Sequence, residues 1–145
     1  MIIRIMCAVE IVSGLFLGSF SSVKETYTDI IINCTKDLPF PNRVFPYIDI
    51  RLPIDDNGTV VEMETFISIA PKIIERMDEY ITNNKTILVH CLAGQQRSCA
   101  LVALYLIKKH NMTIDSSIKY IKSCKRDAFF YDVNFMYALK KCTNI

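Results

Sequence analysis

The sequence predicts an α/β fold, a central, mostly parallel twisted sheet flanked by helices. Three observations carry that prediction. Short apolar, partly β-branched runs alternate along the chain with segments whose apolar residues recur every three or four positions, and strands alternating with helices form layered α/β structures. The run Ile30-Ile31-Ile32 has no polar alternation, as expected of a central strand covered on both faces. Thr86 to His90, a Gly-containing loop and a mostly apolar stretch from Ser98 to Lys109 follow one another as strand, loop and buried helix. With 145 residues, 51% of them hydrophobic, the chain can bury a core without disulfide or metal staples and is expected to form one domain over 1–145.

Taken in order, Ile2–Ile11 and Leu15–Leu17 are expected strands separated by a turn at Ser13-Gly14. Arg4, Glu10 and that turn interrupt the apolar start, which argues against a signal peptide. Asp29–Asn33 is the next strand. A loop marked by Pro39, Pro41 and Pro46 precedes Tyr47–Leu52, where apolar and polar residues alternate. The segment Pro53–Gly58 then combines Asp55, Asp56, Asn57 and Gly58 in an exposed turn that presents two carboxylates. From Met63 to Ile81 the apolar positions define one helix face, which Pro71 is expected to divide or kink. Two further helices are expected at Ile114–Ser123, with Thr113 as cap, and at Val133–Lys141.

Seventeen Lys and Arg against fifteen Asp and Glu give a net charge of +2, too small to point to nucleic acid or a membrane as partner. The cysteines at 7, 34, 91, 99, 124 and 142 form no C-x-x-C pair, and two histidines cannot complete the usual zinc spacings. No metal and no cofactor is therefore expected. Most of these cysteines lie in apolar segments, where a free thiol behaves as a small hydrophobe, so the expected compartment is reducing and cytoplasmic. The Ile- and Asn-rich, Trp-free composition suits an AT-rich genome such as that of a large DNA virus, which would place the protein in an infected host cell or a virion. A monomer or weak dimer is expected.

The segment that carries chemistry is His90-Cys91-Leu92-Ala93-Gly94-Gln95-Gln96-Arg97-Ser98, between the buried strand and the buried helix. A tight loop entering a helix directs its backbone N–H groups into one concavity, and the helix dipole adds roughly half a positive charge there. The loop from Leu92 through Ala93, Gly94, Gln95 and Gln96 to Arg97 is thus a candidate phosphate cradle. Gly94 lets the backbone bend, and the planar fork of Arg97 can bind two phosphoryl oxygens at once. Cys91 opens the same loop, so the field that favours phosphate also favours a thiolate nucleophile. Ser98 is placed to offer its hydroxyl to the Cys91 sulfur, and His90 to orient the loop from behind. A leaving group needs a proton, and Asp55 or Asp56 on the Pro53–Gly58 turn is within the right kind of loop to supply it.

With His90, Cys91, Gly94, Arg97 and Ser98 matching H-C-x-x-G-x-x-R-S, the chain resembles the protein tyrosine phosphatase superfamily, specifically its dual-specificity branch. Ile11–Ser19 is similar to that family's "L-Y-L-G-S" segment and Ile30–Thr35 to its "V-L-N-V-T" strand. The resemblance implies a protein tyrosine phosphatase-like fold and a signalling phosphatase acting on phosphorylated proteins through a cysteinyl-phosphate. It also implies that the acid sits three residues after a proline, at Asp56. Three departures carry expectations of their own. The bulk of Gln95 and Gln96 is expected to narrow the pocket mouth. Tyr131-Asp132-Val133-Asn134-Phe135 lacks the proline and asparagine of the family's "P-N-x-x-F" brace. An insertion around Asn57–Glu62 is expected to weaken or re-aim the acid loop. The alternatives to a protein phosphatase are a pseudophosphatase that only binds phosphoproteins, and an enzyme for phosphoinositides or RNA 5′ phosphates. Phe129, Phe130 and Tyr131 are expected to be packing residues, and Cys99 and Cys124 buried thiols.

Overall fold

Among the described residues five strands form, each four residues long: β1 (Val9–Val12), β2 (Leu15–Gly18), β3 (Ile30–Asn33), β4 (Ile48–Arg51) and β5 (Ile87–His90). The structure is a computed structural model that describes residues 8–44 and 47–143. Of the expected first strand, Ile2–Ile11, the part from Ile2 to Cys7 lies outside the described residues. The sheet order is β1-β2-β5-β3-β4. β1 and β2 form an antiparallel hairpin whose turn needs the positive φ of Gly14 (+85°), whereas β2, β5, β3 and β4 all run parallel.

Alternation assigns the strand residues to two layers. Leu15, Leu17, Ile30, Ile32, Ile87 and Val89 face the larger core, built with the helices α1 (Val60–Thr82), α2 (Arg97–Lys109), α3 (Ile114–Cys124) and α4 (Met136–Thr143). Ile31 and Leu88 face the other side, where they meet Val23, Phe20, Phe40 and Tyr47. The cover on that side is a short 3-10 helix, Phe20–Glu25, and the proline-rich segment. The 3-10 helix was not expected, because Phe-Ser-Ser-Val-Lys-Glu has no periodic apolar pattern. Helix α2 is buried without a break from Ser98 to Leu106, as a helix sandwiched between the sheet and its neighbours requires. Each fully buried Leu in it contributes roughly 1.5–3 kcal/mol of transfer free energy.

Two helix expectations are corrected. Pro71 does not divide α1, which runs as one 23-residue helix. The last helix begins at Met136 rather than Val133, because the backbone before it is engaged by Gln95 and Gln96 of loop 91–96. Thr113 caps α3 as expected, accepting from the Ser116 N–H at 3.0 Å while the Ser116 hydroxyl accepts from the Thr113 N–H.

The parallel register brings Gly18, His90, Asn33 and Arg51 side by side at the carboxyl ends of four strands. Loops that leave these ends share one edge of the sheet, the usual ligand side of open parallel sheets. Residues 91–96 and 52–59 are two of those loops.

Candidate active site

Loop 91–96 joins central strand β5 to α2, so it inherits rigidity from the most buried parts of the molecule. Cys91 is 2% exposed, at the base of the loop, with its Sγ 3.2 Å from the Ser98 Oγ. Gly94 adopts φ +72°, and a Cβ there would lie 2.7 Å from the Gly18 carbonyl oxygen. No side chain fits that approach. The Leu92 carbonyl accepts from the Phe20 N–H at 3.0 Å, so the start of the 3-10 helix and the end of β2 together form the wall on which the loop rests. On its other side the Gly94 carbonyl accepts from Cys99 Sγ at 3.3 Å and from Lys125 Nζ at 2.8 Å.

His90 is fully buried behind the loop, its Nδ1 3.1 Å from the Cys91 carbonyl. Burial holds the imidazole below its ordinary pKa, partly offset by that backbone contact, so the ring is neutral at pH 7. Burial also pushes the Cys34 thiol well up and the Cys99 thiol up to about 12. Both remain protonated thiols at neutral pH, and Cys99 is fully buried packing that also donates to the loop. Cys124, expected to be buried, is only half-buried.

The turn after β4 is drawn against this loop. Arg97 Nη1 donates to the Ile54 carbonyl at 3.2 Å, the Ile54 side chain being fully buried in the core. The two candidate carboxylates then diverge. Asp55 forms an ion pair with Lys36 at 3.3 Å. Asp56 accepts from Asn134 Nδ2 on both oxygens, at 3.0 and 3.1 Å. Asn134 is tied in turn to the phosphate loop, because its N–H donates to Gln96 Oε1 at 2.9 Å. A buried-thiol loop at a helix start, an arginine in its first turn and a carboxylate loop tied to both are now assembled from residues far apart in sequence.

A family model described as the catalytic domain of dual specificity phosphatases matches residues 15–145. The chain belongs to the dual specificity phosphatase family. Human dual specificity protein phosphatase 9 is 30% identical over 143 residues, covering 92% of this chain and 35% of the relative. Dual specificity protein phosphatase 1 of Arabidopsis thaliana is 31% identical over 117 residues, covering 76% and 56%. The chain thus spans well under two thirds of the length of these relatives. Among solved structures, human DUSP28 superposes with a TM-score of 0.80 at 20% identity, over 92% of this chain and 94% of that one, which shows the shared fold.

Within this domain the structure bears on four expectations. Gln96 does not crowd the mouth: it is 8% exposed and its side chain turns onto the segment before α4, where Nε2 donates to the carbonyls of Phe130 (3.3 Å) and Asp132 (2.6 Å). The brace that lacks its usual proline and asparagine is therefore present in another form, made by Gln96 and Asn134. The Asn57–Glu62 stretch carries anchors of its own. Asn57 closes a local turn onto Thr59, and the buried Glu62 accepts the Asp55 N–H and Lys36 Nζ, both at 2.8 Å. The aromatic cluster divides, Phe129 being core at 1% exposure while Tyr131 is 94% exposed.

Lys125 is the residue that the sequence did not mark at all, and Glu62 and Asn134 are marked there only as members of the Asn57–Glu62 and Tyr131–Phe135 departures. Each reaches the site through a side chain from another element. Only the departures at Gln96 and Tyr131–Phe135, considered together, held a signal for the rebuilt brace.

Proposed function

We propose that this domain hydrolyses phosphotyrosine and phosphoserine or phosphothreonine in protein substrates through a cysteinyl-phosphate. The observation that carries the reading is the Cys91 sulfur in hydrogen-bond reach of the Ser98 hydroxyl, at the base of a loop that opens α2 with Arg97 in its first turn. Family membership supports the reaction class, and the names of the relatives support dual specificity.

In the first step the Cys91 thiolate attacks phosphorus and the S–P bond forms as the ester P–O bond breaks. The leaving oxygen takes a proton from Asp56, while Arg97 and the loop N–H groups hold the charge on the equatorial oxygens. In the second step Asp56, now a carboxylate, takes a proton from water as that water attacks phosphorus. The S–P bond breaks, inorganic phosphate leaves, and the Ser98 hydroxyl donates to the departing sulfur. Asp56 rather than Asp55 fits this role because Asp55 is committed to Lys36 and its N–H to Glu62.

The test is hydrolysis of an aryl phosphate across pH with EDTA present, by the wild type and by Cys91→Ser, Asp55→Asn and Asp56→Asn. Activity that survives EDTA, vanishes in Cys91→Ser and falls much further in Asp56→Asn than in Asp55→Asn is the expected outcome. A wild type no more active than Cys91→Ser, yet able to bind phosphopeptides, would make the domain a binding module instead.

A further inference from the structure

We infer that Gln96 and Asn134 are positioning residues that hold Asp56 for proton transfer, so that the phosphate loop and the acid loop are aligned by one chain of side-chain hydrogen bonds. The inference rests on the proposed function, since it deepens the role given there to Asp56.

Gln96 uses both ends of its amide on a single short segment. Its Nε2 donates to the carbonyls of Phe130 and Asp132, and its Oε1 accepts from the Asn134 N–H. The reversed amide would set an oxygen against two carbonyls and an NH2 against an N–H, so the partners fix its orientation. That segment needs holding. Phe129 and Tyr131 have φ values of +55° and +69°, a region that bulky residues rarely occupy unless their surroundings impose it. The Gln95 carbonyl, accepting from the Phe129 N–H at 2.7 Å, pins the start of the segment, and Gln96 pins the rest.

At its far end the segment delivers Asn134 to Asp56. The contact spans 78 positions of sequence and engages both carboxylate oxygens. Asp56 lies exposed on a turn, and a carboxylate so placed keeps its rotamer freedom unless a partner removes it. Gln96 sits immediately before Arg97, at the N-cap of α2. The residue that grips the Asn134 segment is therefore fixed to the same backbone as the phosphate-binding arginine. A small side chain at 96, as in the family's usual loop, could not span to residues 130–134.

A misplaced general acid has a specific signature: it matters most when the leaving group is a poor one. The experiment compares kcat/KM for phenyl phosphate and dinitrophenyl phosphate in the wild type, Asp56→Asn, Asn134→Leu, Gln96→Met and the Asp56→Asn/Asn134→Leu double variant. Inorganic phosphate, as a competitive inhibitor, reports the integrity of the phosphate loop. The expected result is a loss about tenfold larger on phenyl than on dinitrophenyl phosphate in Asn134→Leu and Gln96→Met, in the direction shown by Asp56→Asn. Phosphate inhibition should be retained, and the double variant should be no worse than Asp56→Asn. If Asp56→Asn discriminates between the esters but the other two lose equally on both, or lose nothing, the inference is overturned and the proposed function stands. If Asp56→Asn itself does not discriminate, the acid assignment fails and the inference falls with it. Should Gln96→Met fail to fold, Asn134→Leu decides alone, because the contact of its amide with Asp56 is exposed.

Discussion

The phosphate loop and the acid loop meet in one site but are held by different means. Loop 91–96 is fixed first by backbone against backbone, Gly94 pressing on Gly18 and the Leu92 carbonyl accepting from the Phe20 N–H, with the side chains of Cys99 and Lys125 added on the Gly94 carbonyl. Loop 53–59 is fixed by four side chains that arrive from elsewhere, Arg97 on the Ile54 carbonyl, Glu62 on the Asp55 N–H, Lys36 on the Asp55 carboxylate and Asn134 on the Asp56 carboxylate. The difference teaches where each half is vulnerable. Loop 91–96 should be broken by changes that the backbone cannot absorb, and loop 53–59 should be worn down one side chain at a time.

The largest effect belongs to Gly94→Ala. A Cβ 2.7 Å from a backbone oxygen, at φ +72°, forces the loop itself to move. Aryl phosphatase activity should fall about a hundredfold or more, and thermal unfolding should show a loss of about 1–3 kcal/mol. Near wild-type activity in this variant would break the contrast between the two loops.

Glu62→Gln should act more gently, lowering activity several-fold (about threefold to tenfold) while leaving phosphate inhibition intact. It also sharpens the comparison through pH. The hydrogen bond from Lys36, followed by that from the Asp55 N–H, holds the Glu62 carboxyl below its ordinary value. A depressed carboxyl contributes stability that is present above its unfolded pKa of about 4.3 and is lost as pH falls through the lower folded value. Denaturant melts should therefore show a steeper acid-side decline in the wild type than in Glu62→Gln. Equal slopes would remove Glu62 from the clamp.

How much of this was legible follows the same division. His90 to Ser98 is contiguous, so the residues that build the nucleophile's loop announce themselves together, and the β5-loop-α2 frame follows from the apolar runs on either side. The proposed acid is legible only as one of two adjacent aspartates. What separates them, Lys36 on Asp55 and Asn134 on Asp56, arrives from distant parts of the chain. The early start expected for α4 has the same origin: Val133 and Asn134 look like the first turn of a helix, but Gln96 engages the Asn134 backbone N–H. The 3-10 helix at 20–25 had no periodicity to read and is defined by what it covers.

The smallest predicted effect concerns His90, whose imidazole burial keeps neutral. The unfolded chain takes up a proton below about pH 6.5 that the folded chain does not. Stability should therefore be full above that pH and decline gradually below it. His90→Asn should lose this dependence, measured as the slope of unfolding free energy between mildly acidic and neutral pH, and an unchanged slope would mean that the buried ring does protonate in the fold.

Cys91 is proposed to carry the phosphoryl group during turnover, and the decisive measurement is to trap it there. In Ser98→Ala the sulfur loses the hydroxyl 3.2 Å away, so breakdown of the intermediate should slow relative to its formation. Acid quenching during aryl phosphate turnover, followed by peptide mass spectrometry, should find one phosphoryl group on the Cys91 peptide of Ser98→Ala and none in Cys91→Ser. Turnover with no adduct on Cys91, or hydrolysis undiminished in Cys91→Ser, would contradict the account.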